Sequence, residues 1–258
     1  MAIVLKGPRE LDLMRHASRI VATVWAAMAD MVAPGVTTAQ LDEAAERIIH
    51  QSGAIPSFKG YPHRGVNDFP ASICASVNEE IVHGIPSPDR VLRDGDIISI
   101  DVGTIYKGYQ GDGAVTLPVG TVSEEAKQLL QVTKGALEAG IAVAQRGRFT
   151  SDISKAIEKY VRSRGFDVVR EYTGHGIGQS MHEDPQVTNY YSPGMGAYEL
   201  EPGMTIALEP MVNVGTWRTR VLDDGWTVVT ADGKLSAHFE HTIAVTDGEA
   251  EILTRLDQ

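Results

Sequence analysis

Apolar residues recur with helical spacing in the first fifty residues of the chain. Between residues 11 and 32 they lie three or four positions apart, at Leu13, Ala17, Ile20, Val24, Met28 and Met31. This spacing predicts an amphipathic helix that ends at Pro34-Gly35. A second helix is predicted from Thr37, whose side chain can form a capping box with Gln40, to Gly53.

The same layout returns in the second half of the chain. A helix is predicted through Leu130, Ala136 and Leu137, and another within residues 146–165. Three sets of positions recur later in the chain. The first set is Gly35, Thr38, Leu41 and Gly53, which recur as Gly147, Thr150, Ile153 and Gly165. The second is Leu92, Gly95 and Asp101, which recur as Leu200, Gly203 and Glu209, and the third is residues 112–120, which match 240–248. One long period seen twice predicts two related α+β halves, about 10–122 and 123–250, within a single domain over residues 1–258.

Composition and charge argue against nucleic-acid-binding, secreted, membrane-spanning and disulfide-rich proteins. The 258 residues are 43% hydrophobic and carry a formal net charge of -11. The acidic balance argues against a direct nucleic-acid function, and we expect neither a signal peptide nor a membrane span. The single cysteine, Cys74, excludes an internal disulfide framework and fits a reducing compartment, so we expect a cytoplasmic location. The sequence has no signal for oligomerisation, and a monomer is expected.

One stretch carries two acidic residues where core residues are expected. "ISIDVGTIYKGYQGD", residues 98–112, reads as two strands around a turn at Tyr106-Lys107, which places Asp101 opposite Asp112. One interpretation is an exposed hairpin with solvated aspartates. The other is a multivalent cation between the carboxylates, which converts their repulsion into coordination.

The internal repeat favours the cation. It superposes Asp101 and Asp112 on a second acidic pair, Glu209 and Glu240. If the halves meet about a pseudo-twofold axis, four carboxylates converge, and they cannot all stay ionised without positive charge among them. No run of Arg or Lys flanks these positions, so metal ions are the expected counter-charge.

Three histidines have unusual contexts. His175 lies between glycines in "YTGHGIG", His182 follows in "SMHEDP", and His83 lies in "NEEIVHGIPSP". Each alone is compatible with a structural role, but with the carboxylates they indicate a site. One imidazole and four carboxylates suit Co, Mn, Fe or Zn better than they suit a tetrahedral structural zinc. Because carboxylates can bridge, five side chains suffice for two ions.

The segments "IDVGTIYKGYQGDGAVT", "YTGHGIG", "IALEP" and "HFEHTIAV" strongly resemble the type I methionine aminopeptidases. The resemblance extends from the first helix to about Thr246. It implies the pita-bread fold of that family: an α+β domain of two pseudo-twofold-related halves, with an antiparallel sheet lining the site and helices outside. It also implies that two divalent metal ions are bound by Asp101, Asp112, His175, Glu209 and Glu240, with Asp112 and Glu240 bridging.

The activity implied by this resemblance is removal of the initiator methionine from nascent polypeptides with a small second residue. Glu209 would accept the proton of the attacking water, His182 would hydrogen-bond the scissile carbonyl, and His83 would steady the leaving amide nitrogen. The methionine pocket would use Phe58, Tyr61, Cys74 and Trp226, although spacing alone is equally compatible with Cys74 and Trp226 as core residues. A transient contact with the ribosome fits this activity.

Two departures from the family pattern concern the substrate entrance. Met181 precedes His182 where an aromatic residue is common, and the segment 63–71 looks longer than usual. Two rival functions remain. Xaa-Pro peptidases of the same fold normally carry an extra N-terminal domain, whereas here the first helix is expected within about 12 residues of the start. Non-enzymatic binding proteins on this scaffold have lost several ligand positions, whereas all five are present here.

Overall fold

The computed structural model describes residues 3–63 and 65–256, and these form four α-helices and fifteen short to medium strands. The helices are α1 (Pro8–Met31), α2 (Thr38–Gln51), α3 (Glu124–Val143) and α4 (Thr150–Arg162). In this part of the chain, no helix combines the length and the apolar character needed to cross a membrane.

The strands pair in antiparallel fashion and form two larger and two smaller sheets. They are β1 (Ile55–Pro56), β2 (Ile73–Val77), β3 (Glu80–Val82), β4 (Ile97–Tyr106), β5 (Tyr109–Pro118), β6 (Asp167–Val168), β7 (Gly174–Gly176), β8 (Glu183–Val187), β9 (Thr205–Leu208), β10 (Met211–Asn213), β11 (Thr219–Val221), β12 (Val228–Thr230), β13 (Ser236–His238), β14 (His241–Ala244) and β15 (Glu251–Ile252). One larger sheet has the order β1-β4-β2 with β5 beside β4, and the other has the order β15-β14-β9-β7-β8. The smaller sheets are β13-β10-β6 and β11-β12-β3.

The helix starts follow from capping chemistry. The predicted capping box of α2 is confirmed: the Gln40 backbone N–H donates to Thr37 Oγ1 at 3.2 Å, and the Thr37 N–H donates to Gln40 Oε1 at 2.9 Å. Helix α1 begins earlier than the apolar spacing predicts. Pro8 is suited to the first turn, and the Gly7 N–H donates to Glu10 Oε2 at 2.7 Å.

Each helix pair covers one of the larger sheets. The apolar face of α1 and α2 packs on β2 and β4 through residues that include Val21, Val24, Leu41, Ile98 and Ile100. Helices α3 and α4 pack on the second larger sheet and on the neighbouring sheet β13-β10-β6, through residues that include Leu129, Ile153, Ile157, Ile206 and Val212. The helices therefore lie outside and the sheets inside, as expected, and the inner sheet faces are left to form the site.

The register predicted for the first hairpin is wrong. Tyr106 pairs with Tyr109, so the turn is Lys107-Gly108, with φ of 49° and 84°. A two-residue turn with positive φ at both positions matches the right-handed twist of the strands, and glycine adopts it without strain. Asp112 consequently lies opposite Gly103, and Asp101 lies opposite Ala114. Because these pairs are two residues apart, the two carboxylates still share one face, but they are diagonal neighbours.

Hydrogen bonds to the main chain join this hairpin to the second half. The Glu240 N–H donates to the Ala114 carbonyl at 2.8 Å, and Thr242 Oγ1 donates to the Asp112 carbonyl at 2.8 Å. Strands β14 and β9 pair as far as His241 and Leu208, one residue short of Glu240 and Glu209. The two acidic pairs are thereby held against one another by main-chain bonds and by a bond from a threonine side chain to the main chain.

We expect Gly111→Ala to destabilise the protein, because α1 crosses β5 at this residue. A Cβ at position 111 would lie 2.5 Å from the Ser18 nitrogen and 2.6 Å from the Ala17 carbonyl carbon. Backbone atoms of a helix cannot move aside independently, so the expected loss is about 1–3 kcal/mol of unfolding free energy. Urea denaturation followed by circular dichroism measures it.

The matched control is Gly196→Ala. A Cβ there would meet no atom within 4 Å, and the residue does not have positive φ. Its effect should stay within about 0.5 kcal/mol. Equal stability of the two variants would show that α1 does not press on β5 at Gly111.

Candidate active site

All the side chains selected from the sequence line one cavity of about 260 Å³ between the two halves. They are Phe58, Tyr61, Cys74, His83, Asp101, Asp112, His175, His182, Glu209, Trp226 and Glu240. The wall also contains His63, Phe69, Tyr172 and Thr173, which the sequence reasoning did not select. Tyr172 and Thr173 directly precede the Gly-His-Gly motif, and this adjacency is the sequence feature that could have identified them as cavity residues. His63 and Phe69 belong to an irregular segment with no periodicity to indicate where they point.

The acidic end of the cavity contains a group of closely spaced ligand atoms. Asp112, His175 and Glu240 each offer one atom, and these atoms all lie within 4.8 Å of one another. His175 Nε2 is 3.8 Å from Asp112 Oδ2 and 3.5 Å from Glu209 Oε1. Asp101 lines the same cavity from the middle of β4 but lies outside this closest group.

The position of His175 depends on close packing of three strands. Strand β7 lies between β8 and β9, and a Cβ at Gly174 would come within 2.5 Å of the Ala207 carbonyl oxygen. His175 Nδ1 lies 2.9 Å from the Gly176 carbonyl oxygen. A carbonyl only accepts, so Nδ1 carries the proton and Nε2 presents its lone pair beside the carboxylates. This arrangement is typical of a histidine that binds a metal.

Asp112 and Glu240 are buried and Asp101 and Glu209 are half-buried, and few hydrogen bonds replace the water that they lose. Asp112 is 5% exposed and Glu240 2% exposed, so the interpretation of an exposed hairpin with solvated aspartates is wrong. Burial, together with the neighbouring acidic groups, raises the pKa of Asp101, Glu209 and Glu240 well above the usual range, and burial raises that of Asp112 to about 7.

The donor set fits divalent cations. No Lys or Arg of the described residues lines the cavity. One oxygen each of Asp101, Asp112 and Glu240 is buried without a hydrogen-bond partner. Unpaired carboxylate oxygens beside an imidazole lone pair are the ligands that first-row divalent metals take. A cation would supply the missing partners and allow the carboxyls to ionise.

Two further histidines, His182 and His83, line the same cavity. Tyr61 Oη is 2.8 Å from His182 Nδ1, and the His182 ring centroid is 4.4 Å from that of His175. Burial lowers the pKa of His182, and burial with the nearby imidazoles lowers that of His83 to about 4, so both rings are neutral at physiological pH.

His83 has an unusual backbone conformation. Its φ of 59° is rare outside glycine, and its ring packs edge-on against Tyr172 and Trp226 at centroid distances of 5.6 and 6.1 Å. Strain of this kind persists only where surrounding contacts impose it, and it concentrates at functional sites.

The other end of the cavity is apolar. Cys74 lies opposite Asp101 across β2 and β4, so both side chains face the same side of the sheet. Cys74 packs with Phe69, Ala71 and Trp226, and burial raises the pKa of its thiol well above the usual range. Cys74 and Trp226 are therefore buried from outside solvent and also line the cavity. Their roles as core residues and as pocket residues are thus compatible.

Both departures from the family pattern lie at the cavity wall. Met181 is 5% exposed and belongs to an apolar cluster with Phe58 and Tyr61. Described residues of the segment 63–71 contact Trp226: the indole N–H donates to the Asn67 carbonyl at 2.8 Å, and the centroid of the His63 ring lies 4.9 Å from that of the indole. His63 and Phe69 of this segment thus form part of the cavity wall.

Comparison with known proteins gives the family. Residues 12–247 match the model of metallopeptidase family M24. Methionine aminopeptidase 1 of Bacillus subtilis is 54% identical over 254 residues, which cover 98% of this chain and 100% of that protein. The chain belongs to the methionine aminopeptidases of family M24. It is therefore a metalloaminopeptidase, and the expected peptidase class is confirmed.

Solved structures agree with this membership. The structure of methionine aminopeptidase from Thermotoga maritima matches with a TM-score of 0.95 and 44% identity, covering 99% of this chain and 100% of that one. The expected pita-bread fold is thereby confirmed. The Xaa-Pro dipeptidase of Bacillus anthracis matches at 22% identity with a TM-score of 0.77, and 62% of its chain is covered. That likeness concerns the fold alone, so the Xaa-Pro alternative is not favoured.

We expect Asp101→Asn to stabilise the metal-free protein and to reduce its stabilisation by metal. The folded-state pKa of Asp101 is raised, so its favourable contribution is present at low pH and is lost as the pH rises. The asparagine side chain does not ionise, so the variant does not undergo this loss. The difference in stability between variant and wild type, without metal, should therefore be larger at pH 8 than at pH 6. A gain of 1 kcal/mol corresponds to about 2–4 °C in Tm for a chain of this size.

Thermal unfolding with a chelator and with Mn²⁺, at both pH values, provides the measurement. The variant should melt above the wild type in chelator and below it in Mn²⁺. Melting below the wild type in chelator at pH 8 would mean that Asp101 does not contribute to a repulsive cluster.

Proposed function

We propose that the chain removes the N-terminal methionine from nascent proteins and peptides whose second residue is small. The observation that carries this proposal is the composition of the cavity, where a cluster of four carboxylates and one imidazole adjoins an apolar recess. The recess suits an unbranched thioether side chain, because aromatic rings and a sulfur atom make favourable contacts with methionine. The identity with methionine aminopeptidases over nearly the whole chain supports the same substrate.

Two divalent metal ions would be held by Asp101, Asp112, His175, Glu209 and Glu240, with Asp112 and Glu240 shared between them. When bound, Co, Mn, Fe or Zn would acidify a water molecule and polarise the scissile carbonyl. The unpaired oxygens of Asp101, Asp112 and Glu240 support this assignment, as does the orientation of His175.

Glu209 is the residue we assign to proton transfer. Its carboxyl lies 3.5 Å from His175 Nε2 and follows the end of β9, within reach of any water in the acidic end. A carboxylate that accepts the proton of the attacking water can pass it to the leaving amine. Asn189 fixes the backbone here, since its Nδ2 donates to the Glu209 carbonyl at 3.0 Å.

His182 and His83 act on the substrate as neutral imidazoles. With Tyr61 donating to Nδ1, His182 carries its proton on Nε2 and can donate to the scissile carbonyl as negative charge develops on it. His83, held between Tyr172 and Trp226, steadies the amide nitrogen of the next residue as it leaves.

The arrangement favours free amino termini. The acidic end of the cavity attracts a substrate amino group in its charged form, and a neutral amino group would offer its lone pair to a metal ion bound there. An internal peptide bond has no such group. With Phe58, Tyr61, Cys74 and Trp226 around the first side chain, the second residue lies against the metal-binding floor, where only small side chains fit.

The remaining assignments extend this proposal. The chain acts as a single catalytic domain with internal halves of about 10–122 and 123–250, as a monomer in the cytoplasm. Its partners are nascent polypeptide N-termini, with a transient ribosome contact, and it has no direct nucleic-acid function. Neither the Xaa-Pro alternative nor a non-enzymatic binding role accounts for both a complete ligand set and a thioether-sized recess.

Peptides that differ only at the second residue test the proposal directly. Met-Ala-Ser should release methionine rapidly, Met-Leu-Ser should not, and a chelator should abolish release until Mn²⁺ is restored. Discrimination by crowding is expected to exceed about 10²-fold in kcat/KM, since a misfit of several methylenes costs several kcal/mol. Cleavage of Ala-Pro-Ser in preference to Met-Ala-Ser would sink the proposal in favour of the Xaa-Pro class.

Glu209→Gln separates proton transfer from metal binding. The amide keeps the size and one coordinating oxygen but cannot accept the proton, so kcat should fall by about 10⁴-fold or more. His182→Ala, the comparison variant, should retain both metals and lose about 10²- to 10³-fold, the usual effect of losing one oxyanion donor. Steady-state kinetics beside metal analysis gives both numbers. Near-normal kcat in a Glu209→Gln protein with two metals would assign the proton transfer to another residue.

A further inference from the structure

His238 is a buried histidine that the mechanism above does not use. It ends β13, two residues before Glu240. The side chains of His238 and Glu240 lie side by side, with Nε2 3.8 Å from Oε2, while Phe239 between them packs toward the core of the second half. Thr116 fixes its backbone on both sides, since Thr116 Oγ1 donates to the His238 carbonyl at 2.7 Å and accepts from the His238 N–H at 2.9 Å.

The imidazole of His238 lacks hydrogen-bond partners. It is 1% exposed, and neither Nδ1 nor Nε2 is hydrogen-bonded within the described part of the chain. A buried polar group left unpaired costs about 1–3 kcal/mol, whereas an apolar side chain of similar volume at the same place would cost nothing of this kind. The arrangement is therefore incomplete unless a partner is engaged when the protein works.

Glu240 is the acceptor within reach. Its Oε2 lies 3.8 Å from His238 Nε2, and its other oxygen, Oε1, is also buried and unpartnered. A displacement of under about 1 Å brings Oε2 into hydrogen-bond distance of Nε2. A neutral imidazole can donate from one nitrogen only, and a bond from Nε2 to a carboxylate is charge-assisted, so it is stronger than a neutral one.

We propose that His238 is a positioning residue for Glu240: its Nε2–H donates to the Glu240 carboxylate and holds it in the orientation that the divalent cations require. This inference rests on the proposed function, because it takes Glu240 to be a shared metal ligand. Loss of this hydrogen bond should therefore lower the affinity of the site for divalent cations. Partners of this kind orient a ligand before binding, and their loss typically weakens affinity by about 10- to 100-fold.

Three substitutions of His238 test whether Nε2 or Nδ1 donates the hydrogen bond to Glu240. In His238→Gln the amide nitrogen occupies roughly the place of Nε2, in His238→Asn it occupies roughly the place of Nδ1, and His238→Leu has no polar atom. Mn²⁺ binding to the chelator-treated proteins is measured by isothermal titration calorimetry. We expect about 10- to 100-fold weaker binding for His238→Leu and His238→Asn, and near wild-type binding for His238→Gln.

Thermal unfolding without metal separates this role from a structural one. His238→Leu should be at least as stable as the wild type when metal-free, because it removes an unpaired buried group. His241 provides the matched control: it adjoins Glu240 on the opposite face, and its Nδ1 lies 2.7 Å from Thr254 Oγ1. His241→Leu should lose stability through that broken bond while binding Mn²⁺ as the wild type does.

The outcomes are distinguishable. Unchanged Mn²⁺ affinity in His238→Leu, restoration by Asn but not by Gln, or an equal loss of affinity in His241→Leu would each overturn the inference. Absence of tight Mn²⁺ binding by the wild-type protein would instead overturn the proposed metal site itself.

Discussion

Four carboxyl groups in one buried cavity impose the constraint on which the rest of this structure depends. Asp101 and Asp112 come from one hairpin, and Glu209 and Glu240 come from the ends of strands in the other half. Main-chain hydrogen bonds between Ala114 and Glu240 prevent the two pairs from separating to relieve their repulsion. The carboxyls must therefore either hold protons or share a cation, and the second state is the one in which a hydrolase can work.

The same burial gives the histidines their chemical form. Removal from water raises the pKa of a carboxyl and lowers that of an imidazole, because it disfavours the charged form of each. The pKa of His175 falls to about 3 and that of His83 to about 4, so both are neutral near pH 7. A neutral His175 can bind a metal through Nε2, and neutral imidazoles can donate without adding net charge beside cations. Burial thus keeps His175 in the neutral form that can bind a metal, and it keeps the other imidazoles in the neutral form that can donate hydrogen bonds.

Periodicity and motif spacing predicted the helices, the capping of α2 and the carboxylates and His175 of the acidic end, whereas the resemblance to the methionine aminopeptidases supplied the apolar wall of Phe58, Tyr61, Cys74 and Trp226. They failed where the outcome depends on turn conformation. Tyr106-Lys107 looked like the centre of the hairpin by symmetry, but Lys107-Gly108 adopts the two positive φ values that a tight turn needs, and the register moved with it. The prediction that Asp101 and Asp112 share a face survived, because the register changed by two residues. The contacts of His63 and Asn67 with Trp226 and the unpaired ring of His238 could not be predicted, since both depend on contacts between distant parts of the chain.

On the proposed function, metal binding and side-chain selectivity are coupled through one strand pair. Cys74 in the apolar recess lies directly across from Asp101 in the acidic cluster, on adjacent strands β2 and β4. A shift of β2 that enlarges the recess must also move the ladder that holds Asp101, because main-chain hydrogen bonds link the two strands. Strands deform little at the centre of a packed sheet, so the distance from recess to metal floor is set by the strand spacing of about 4.8 Å and by side-chain length. This fixed distance determines how far a substrate's first side chain can extend while its carbonyl stays over the carboxylates. Selectivity for one side-chain length therefore follows from sheet geometry, and it can be changed more readily at the irregular wall near Trp226 than at the strands.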